Sequence, residues 1–267
     1  ADGDNHEITI SNMESAKVVV HHYLKDNEGK YTEIKVAEDE LLEGKIDEKY
    51  TTSPHLDLEK YELEKDEEGN YVIPENATGT YESGIIEVTY YYEEKDIPLI
   101  VHHYIEGTET PVPLKDGSVA QDITASGKEG EEYKTEAISN DKLDSRYELI
   151  TIPENAEGKY SGEEVIVTYY YRIARRAVTL IKTNIDGEYL KGAVFKIINP
   201  ENNEVVQAIT NNEGRAEVNL LCGDYVIQEI RAPEGYKLNK GSIEVTIERD
   251  KENIITIQDE KINYYNF

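Results

Sequence analysis

Apolar and polar positions alternate with a period of two through most of the chain, and this pattern predicts β-strands. The segments "KVVVHHYL" and "PLIVHHYI", which begin at residues 17 and 98, are β-branched and apolar with no helical period. From residue 177 onward, seven short apolar segments are separated by Gly, Asn and Asp turns, a spacing that favours a β-sandwich. We therefore predict a mainly β protein.

Several short sequence motifs occur twice in the chain, in the same order. "VHHY" occurs at 20–23 and 101–104, "IPENATGTY" at 73–81 matches "IPENAEGKY" at 152–160, and "VTYYY" ends both copies. We predict two tandem modules, residues 17–94 and 95–173, with an insertion in a hairpin of the first. Three arginines near residue 174 mark a shift in composition and the start of a third domain, 174–267. Residues 1–16 are predicted to end a preceding domain or to form a linker.

The paired histidines raise the question of a metal site. Neighbouring side chains on a strand point to opposite faces, so His21 and His22 cannot chelate one ion together, and neither can His102 and His103. No cysteine or third histidine lies at ligand spacing, and only His55 is left over. The pattern favours structural histidines under a neighbouring strand, and we predict no metal site and no cofactor.

Charge and cysteine content limit the function. The chain has 28 Lys and Arg against 56 Asp and Glu, a net charge of −28 that argues against a nucleic-acid partner. No stretch is apolar over a length that could span a membrane. The single cysteine, Cys222, cannot form an intrachain disulfide, so small β modules of this kind need another source of stability.

Three strands of the C-terminal domain carry an ionisable residue on the face that their apolar neighbours would bury. The series of alternate residues are Val178, Leu180 and Lys182; Tyr225, Ile227 and Glu229; and Ile255, Ile257 and Asp259. An unpaired charge in such a place costs several kcal/mol, so the coincidence predicts that the three groups meet. They form either a buried ion triad, frayed strand ends in water, or a reactive site.

The reactive alternative is an internal isopeptide bond. Burial penalises charge, so the amine of Lys182 can be neutral and nucleophilic while Glu229 stays protonated. The amine would attack the carboxyl carbon of Asp259, and Glu229 would act as the catalytic proton shuttle while water leaves. The cross-link would join Lys182 to Asp259.

The C-terminal domain resembles a known family. "VTLIKTNIDGEYLKGAVFKI", "LLCGDYVIQEIRAPEGYKL" and "ITIQDEKI" are similar to the opening strand, the "G-x-Y-x-x-x-E-x-x-A-P-x-G-Y" segment and the closing strand of the Cna-B-type, SpaA pilin-like domain of Gram-positive surface proteins. The resemblance covers residues 176–262 and implies an Ig-like β-sandwich. The family acceptor is usually Asn, and Asn263 shares the strand parity of Asp259, so both remain candidate acceptors.

The repeats resemble the MucBP (mucin-binding protein) module over residues 17–173. The shared features are "V-x-x-Y", the "G-x-x-x-x-x-Y" of "GKIDEKY" and "GKEGEEY", "YEL" followed by "IPENA", and "VTYYY". The resemblance implies small β-grasp-like modules in an elongated rod, and "SPHLDLEKY" predicts an added helical turn capped by Ser53. Tyr91 and its counterpart Tyr170 fall on the polar face of the closing strand, where each can stack on a sugar or pack against a cross-strand neighbour.

Together these resemblances imply a segment of an extracellular, cell wall-anchored bacterial adhesin or pilus-like stalk. We expect a monomeric rod with host mucin or glycan as the partner of the repeats, no nucleic acid and no membrane insertion. We expect no enzyme activity beyond single-turnover self-cross-linking. The alternative is a purely structural spacer whose binding tip lies upstream.

Overall fold

Strands make up almost all of the regular structure in the computed structural model, which describes residues 15–262. Within this range there is no α-helix, and no helix is long and apolar enough to cross a membrane. The chain forms two compact units. One holds residues 15–98 together with Ser126–Glu132 and Lys159–Glu164, and the other holds the rest of residues 15–262.

The first repeat is a mixed sheet built around its first and last strands. Its elements are β1 (Ser15–Lys25), β2 (Tyr31–Lys35), β3 (Glu40–Lys45), β4 (Lys49–Thr51), β5 (Tyr61–Leu63), a 3-10 turn (Glu75–Ala77), β6 (Thr78–Thr80) and β7 (Ile85–Glu94). Strands β1 and β7 are parallel neighbours, β2 and β3 pair with β1, and β5 pairs with β7. Parallel central strands of this kind agree with the predicted β-grasp-like module.

Alternation along β1 and β7 creates the core of this repeat. Val18, Val20 and His22 are buried on β1, and Tyr90 and Tyr92 are buried on β7. The register places Val20 beside Val88 and His22 beside Tyr90, so the buried faces of both strands coincide.

The second repeat repeats this arrangement. Its strands are β8 (Ile97–Ile105), β9 (Ile123–Gly127), β10 (Glu132–Lys134), β11 (Tyr147–Leu149), β12 (Glu157–Lys159) and β13 (Val165–Ile173). The main sheet has the order β11-β13-β8-β9, and β8 and β13 are parallel, with His103 beside Tyr169. The repeated motifs "VHHY" and "VTYYY" therefore form the same central pair of parallel strands in both repeats.

Close contacts between glycines and tyrosine rings explain why both repeats have glycine at the same positions. A Cβ atom at Gly44 would lie 2.2 Å from the ring of Tyr81, and one at Gly79 would lie 2.7 Å from the hydroxyl of Tyr50. Both distances are below van der Waals contact, so only glycine allows the tyrosine rings to lie against the backbone. Gly127 under Tyr160 and Gly158 under Tyr133 are the equivalent pairs of the second repeat.

Two predictions about connections have different outcomes. The insertion of the first repeat forms a hairpin, as expected, with Lys65 bridged to Tyr71 and a turn at Gly69. The helical turn predicted from Ser53 is wrong, because residues 52–60 contain no helix. Thr52 instead donates its N–H to the carbonyl of Ala77, so this segment takes its hydrogen bonds from distant residues and not from a helical turn.

The C-terminal domain is a two-sheet sandwich. Its strands are β14 (Arg175–Asn184), β15 (Val194–Ile198), β16 (Val205–Ile209), β17 (Arg215–Leu221), β18 (Gly223–Arg231), β19 (Ser242–Ile247) and β20 (Ile254–Asp259). One sheet has the order β17-β14-β20 and the other β16-β15-β18-β19. The core between them includes Leu180, Phe195, Ile227 and Ile257, and the architecture is the predicted sandwich.

Candidate functional site

Three buried ionisable side chains meet in the core of the C-terminal sandwich. Lys182 lies on β14 and Asp259 on β20, which are parallel neighbours in one sheet, whereas Glu229 lies on β18 in the facing sheet. Their apolar neighbours at alternate positions, including Leu180, Ile227 and Ile257, are also buried. The structure therefore brings together the three residues that strand parity singled out.

The distances are those of direct contact. The Lys182 Nζ atom is 2.5 Å from Oδ1 of Asp259 and 3.0 Å from Oε1 of Glu229. The side chains of Lys182, Glu229 and Asp259 are 0%, 1% and 0% exposed. The amine and both carboxyl groups therefore form one group shielded from water.

Two further residues complete the surroundings, and sequence reasoning did not identify them. The Lys182 Nζ atom lies 5.7 Å from the centre of the Phe195 ring, one of only two phenylalanines in the chain. The N–H of Asn239 donates to Oε2 of Glu229 at 2.8 Å. Oδ2 of Asp259 makes no hydrogen bond to any residue of 15–262. Strand periodicity cannot indicate Asn239, because it lies in a loop.

Burial favours the protonated, uncharged form of Glu229. Desolvation raises the pKa of Glu229 above its ordinary 4.5, although the Asn239 N–H and the Lys182 amine act in the opposite direction. A protonated Glu229 leaves one amine and one carboxylate, so the group is neutral overall. The Lys182 amine and the Asp259 carboxyl lie in direct contact, and these are the two functional groups from which an amide forms. The alternative acceptor, Asn263, lies outside the described residues.

The histidine pairs of the repeats divide between the two faces of their strands. His22 and His103 are buried, and their Nδ1 atoms lie 2.9 and 3.0 Å from the hydroxyls of Tyr92 and Tyr171. His21 and His102 face the other side. Burial lowers the pKa of His22 and of His103 and raises the pKa of both tyrosines to about 12, so it favours the neutral form of each group.

The two tyrosines predicted on the polar face differ in their surroundings. Tyr91 is half-buried and packs against Tyr31, with ring centres 4.5 Å apart, and against Tyr23 at 6.5 Å. Tyr170 is 43% exposed. In the first repeat the aromatic surface is therefore a cluster of three tyrosines, of which Tyr31 is the most exposed at 54%.

Comparison with known families agrees with both resemblances. Residues 17–93 and 114–172 match the MucBP domain family, and residues 176–261 match the SpaA family, which is described as a prealbumin-like fold domain. The structure of the Bacillus anthracis TIE protein resembles this one with a TM-score of 0.51, although the two are 14% identical. That likeness covers 92% of this chain and 51% of the other, and it concerns the fold alone.

Two relatives of this chain are bacterial proteins, and one of them is a surface protein by name. Internalin J of Listeria monocytogenes serotype 4b is 29% identical over 244 residues, which is 85% of this chain and 23% of internalin J. The trypsin-resistant surface T6 protein of Streptococcus pyogenes serotype M6 is 32% identical over 124 residues, 45% of this chain and 22% of that protein. The chain thus spans less than a quarter of these relatives. Since the MucBP matches alone cover half of its length, the chain belongs to the MucBP family, with a SpaA prealbumin-like domain after its repeats.

Proposed function

We propose that the chain is an extracellular segment of a Gram-positive cell-surface protein, either an adhesin or a pilus-like stalk. The MucBP and SpaA families and the surface relatives support this assignment, and neither family is of an enzyme type. We further propose a division into repeats at 17–94 and 95–173 and a C-terminal domain from residue 174. The segment presents binding modules and resists unfolding, and its chemistry is limited to one turnover on itself.

The C-terminal domain is closed by an isopeptide bond between Lys182 and Asp259. The observation that carries this proposal is the 2.5 Å contact of the Lys182 amine with the Asp259 carboxyl, with Glu229 3.0 Å away, in a site shielded from water. Such preorganisation replaces a bimolecular encounter and can contribute about 7–11 kcal/mol to lowering a barrier. The pairing also suits a chain with one cysteine.

The reaction is a dehydration with Glu229 as proton shuttle. The lone pair of the neutral Nζ attacks Cγ of protonated Asp259, and the protonated Glu229 donates a hydrogen bond to the oxygen on which negative charge develops. Glu229 then relays a proton from the nitrogen to the departing hydroxyl. One C–N bond forms, one C–O bond breaks, and one water leaves without any change in oxidation state.

Intact mass measurement of the purified chain tests this step. The chain is expected to weigh one water less than its sequence requires, and a digest is expected to contain a branched peptide that joins residues 178–186 to residues 254–261. If Asp259→Asn still cross-links, it should lose ammonia instead of water, which identifies the acceptor. Cross-linking to Asn263 would give a different branched peptide.

Matched variants distinguish the bond from an ion triad. Lys182→Ala and Glu229→Gln should both have full mass, the first without a nucleophile and the second without a proton shuttle. Lys251→Ala, which changes an exposed lysine of the same domain, should keep the mass deficit. A wild-type chain of full mass after long incubation would contradict the proposal and leave the buried ion triad as the explanation.

Binding of host mucin or glycan by the repeats is a second candidate function. The family relationship supports it, and so does the cluster of Tyr23, Tyr31 and Tyr91, because an aromatic ring with an exposed face can stack on a sugar. Tyr170 is the exposed tyrosine at the equivalent strand position of the second repeat. The acidic charge of the chain favours neutral sugars over sulfated or sialylated ones.

A glycan array with the full chain separates an adhesin from a structural spacer. Reproducible binding that is lost in Tyr31→Ala and Tyr91→Ala supports the adhesin. Tyr71→Ala is a suitable control, because Tyr71 is also exposed but lies in the inserted hairpin. Absence of binding to mucin and to every arrayed glycan would favour the spacer and would leave the isopeptide proposal unaffected.

A further inference from the structure

Two histidines and a carboxylate converge in the first repeat from three separate segments. His22 lies on the buried face of β1, Glu40 begins β3, and His55 lies in the segment 52–60, which has no regular secondary structure. The Nε2 atoms of His55 and His22 are 3.0 and 3.5 Å from the same carboxylate oxygen of Glu40. The donor atoms all lie within 4.8 Å of one another, and among residues 15–262 this is the one such group of three.

The Nε2 atom of His22, the most buried residue of this group, lacks a hydrogen-bond partner. His22 is 0% exposed, and its Nε2 atom makes no hydrogen bond to any of the described residues. Its separation of 3.5 Å from Glu40 is longer than a hydrogen bond. A buried polar atom without a hydrogen-bond partner is unfavourable, so binding of a ligand at this atom would stabilise the site.

The hydroxyl of Tyr92 positions both histidines. It lies 2.9 Å from Nδ1 of His22 and accepts the backbone N–H of His55 at 2.8 Å. Metal-bound histidines usually donate their second ring N–H to an oxygen, which fixes the tautomer and the ring orientation. Donation from Nδ1 of His22 to Tyr92 leaves the lone pair of Nε2 directed at Glu40 and His55.

We propose that His22, Glu40 and His55 bind one Zn²⁺ ion, with the fourth position open to solvent. Two imidazoles and a carboxylate are a known zinc ligand set, and imidazole ligands do not suit Ca²⁺ or Mg²⁺. Metal–ligand bonds of about 2.0–2.1 Å at the tetrahedral angle place donor atoms about 3.3 Å apart. The observed 3.0 and 3.5 Å are close to this value. Glu40 and His55 are 42% and 38% exposed, which gives an ion access.

This proposal departs from the sequence-based expectation of no metal site. That expectation considered ligands by spacing along the chain, and it noted His55 only as the histidine left over. Glu40 and His55 are 18 and 33 positions from His22 in the printed sequence, and no periodicity connects them. Only the fold of the repeat brings them to the same place.

The second repeat provides an internal control, because it has the same buried histidine–tyrosine pair but lacks the other two proposed zinc ligands. His103 contacts Tyr171, and the Tyr171 hydroxyl accepts the N–H of Ile138 as Tyr92 accepts that of His55. Alignment of the two copies places Ile123 opposite Glu40 and Ile138 opposite His55. His103, Ile123 and Ile138 line one cleft of about 340 Å³, so the equivalent positions do converge there. The Nε2 of His103 is also unpartnered, but two isoleucines replace the ligands.

Titration of the full chain with Zn²⁺ and Co²⁺ tests the site. The protein is prepared without a polyhistidine tag and stripped with a chelator. One equivalent of Zn²⁺ is expected by calorimetry, and one equivalent of Co²⁺ is expected to give the intense visible absorption of four-coordinate cobalt, which Zn²⁺ then displaces. An excess of Ca²⁺ or Mg²⁺ should not displace it.

Variants that exchange the two repeats provide the decisive comparison. The Glu40→Ile/His55→Ile variant has the residues of the second repeat at these two positions. It should no longer bind one equivalent of Zn²⁺, and its far-ultraviolet circular dichroism spectrum should be unchanged. Ile123→Glu/Ile138→His copies the first repeat and should add a second equivalent. Tyr92→Phe, which changes a positioning residue, should weaken Zn²⁺ about 10–100-fold, and the visible spectrum of its cobalt form should shift.

Three results would overturn the site. They are the absence of stoichiometric Zn²⁺ binding, equal binding by the Glu40→Ile/His55→Ile variant, and displacement of the ion by Ca²⁺. Each of the last two would assign any bound ion to the acidic surface of the chain instead.

Discussion

The C-terminal domain and the repeats both bury polar side chains, but they bury different kinds. The sandwich encloses an amine and two carboxyl groups, Lys182, Glu229 and Asp259, whose mutual contacts can be converted into a covalent bond. Each repeat encloses a histidine and a tyrosine, such as His103 and Tyr171, which are joined by a hydrogen bond and whose neutral forms are favoured by burial. The histidine–tyrosine pairs cannot form an amide bond, because neither side chain has an amine or a carboxyl group.

This difference indicates that the C-terminal domain and the repeats are stabilised in different ways. A buried ion group is a weak source of stability, because the desolvation penalty offsets the attraction between the charges. A bond that removes the charges also removes that penalty and restricts the unfolded chain. A neutral histidine–tyrosine pair has a smaller desolvation penalty, so it contributes through hydrogen bonding and packing alone.

Loss of the cross-link should produce the largest effect. Lys182 and Asp259 are 77 residues apart, and a link closing a loop of that length contributes about 4 kcal/mol by restricting the unfolded state. Lys182→Ala should therefore lower the melting temperature of the C-terminal domain in calorimetry, and reductant should change neither protein. Glu229→Gln keeps both reactants and should be destabilised by a similar mechanism. A Glu229→Gln variant that melts with the wild type would show that the bond does not stabilise the domain.

Removal of a buried tyrosine hydroxyl should have the next largest effect. Tyr171→Phe leaves both Nδ1 of His103 and the N–H of Ile138 without their partner, at a cost of about 1–3 kcal/mol in unfolding free energy. Urea denaturation of the full chain measures this change. Tyr92→Phe should have an effect of the same size in the metal-free first repeat. A loss below about 0.5 kcal/mol in both variants would contradict the importance of the pair.

Acidification should weaken the second repeat. Burial, followed by the neighbouring His102, lowers the pKa of His103 below 6.5, while Asp122 acts in the opposite direction. The unfolded state therefore takes up a proton first, and the stability contributed by neutral His103 is present above about pH 6.5 and lost as pH falls through its folded value. Tyr169 and Tyr171 pack on the ring, and burial raises the pKa of Tyr171 to about 12, so this tyrosine stays neutral in this range.

Hydrogen exchange by mass spectrometry at about pH 7.5 and about pH 5.5 measures this loss in β8 and β13. After correction for intrinsic rates, both strands should exchange faster at the lower pH, and His103→Gln should remove the difference. The sign is opposite for Glu229 in an unlinked domain. Its raised pKa gives a contribution that is present below pH 4.5 and lost as pH rises through the folded value. Faster exchange at the higher pH in β8 would contradict the assignment to His103.

The partly buried histidine–tyrosine pair of the second repeat, His102 and Tyr104, should have the smallest effect. The Tyr104 hydroxyl lies 2.9 Å from Nδ1 of His102, but the carboxylate of Asp122, which is 49% exposed, approaches the same nitrogen at 2.7 Å. Tyr104→Phe should therefore cost at most about 0.5 kcal/mol in the same urea experiment. A cost equal to that of Tyr171→Phe would show that burial does not distinguish the two pairs.

Sequence reasoning identified the strands and the members of the reactive group because both depend on local periodicity. The positions of Lys182, Glu229 and Asp259 follow from counting by two along strands whose other residues are apolar. The same counting could not identify Phe195 as the ring beside the lysine or Asn239 as the donor to Glu229, because both approach from other segments.

The sequence by itself determined the two repeats, the β class, the sandwich and the faces on which polar residues are buried. Tertiary structure alone decided which segment covers each face. Residues 52–60 have a helix-like cap at Ser53, yet they form no helix, because Thr52 bonds to Ala77 and His55 bonds to Tyr92, 25 and 37 residues away. Those long-range bonds satisfy the backbone better than one isolated helical turn does, since a single turn fixes several residues for one hydrogen bond. They also bring His55 to His22, a meeting that no local pattern encodes.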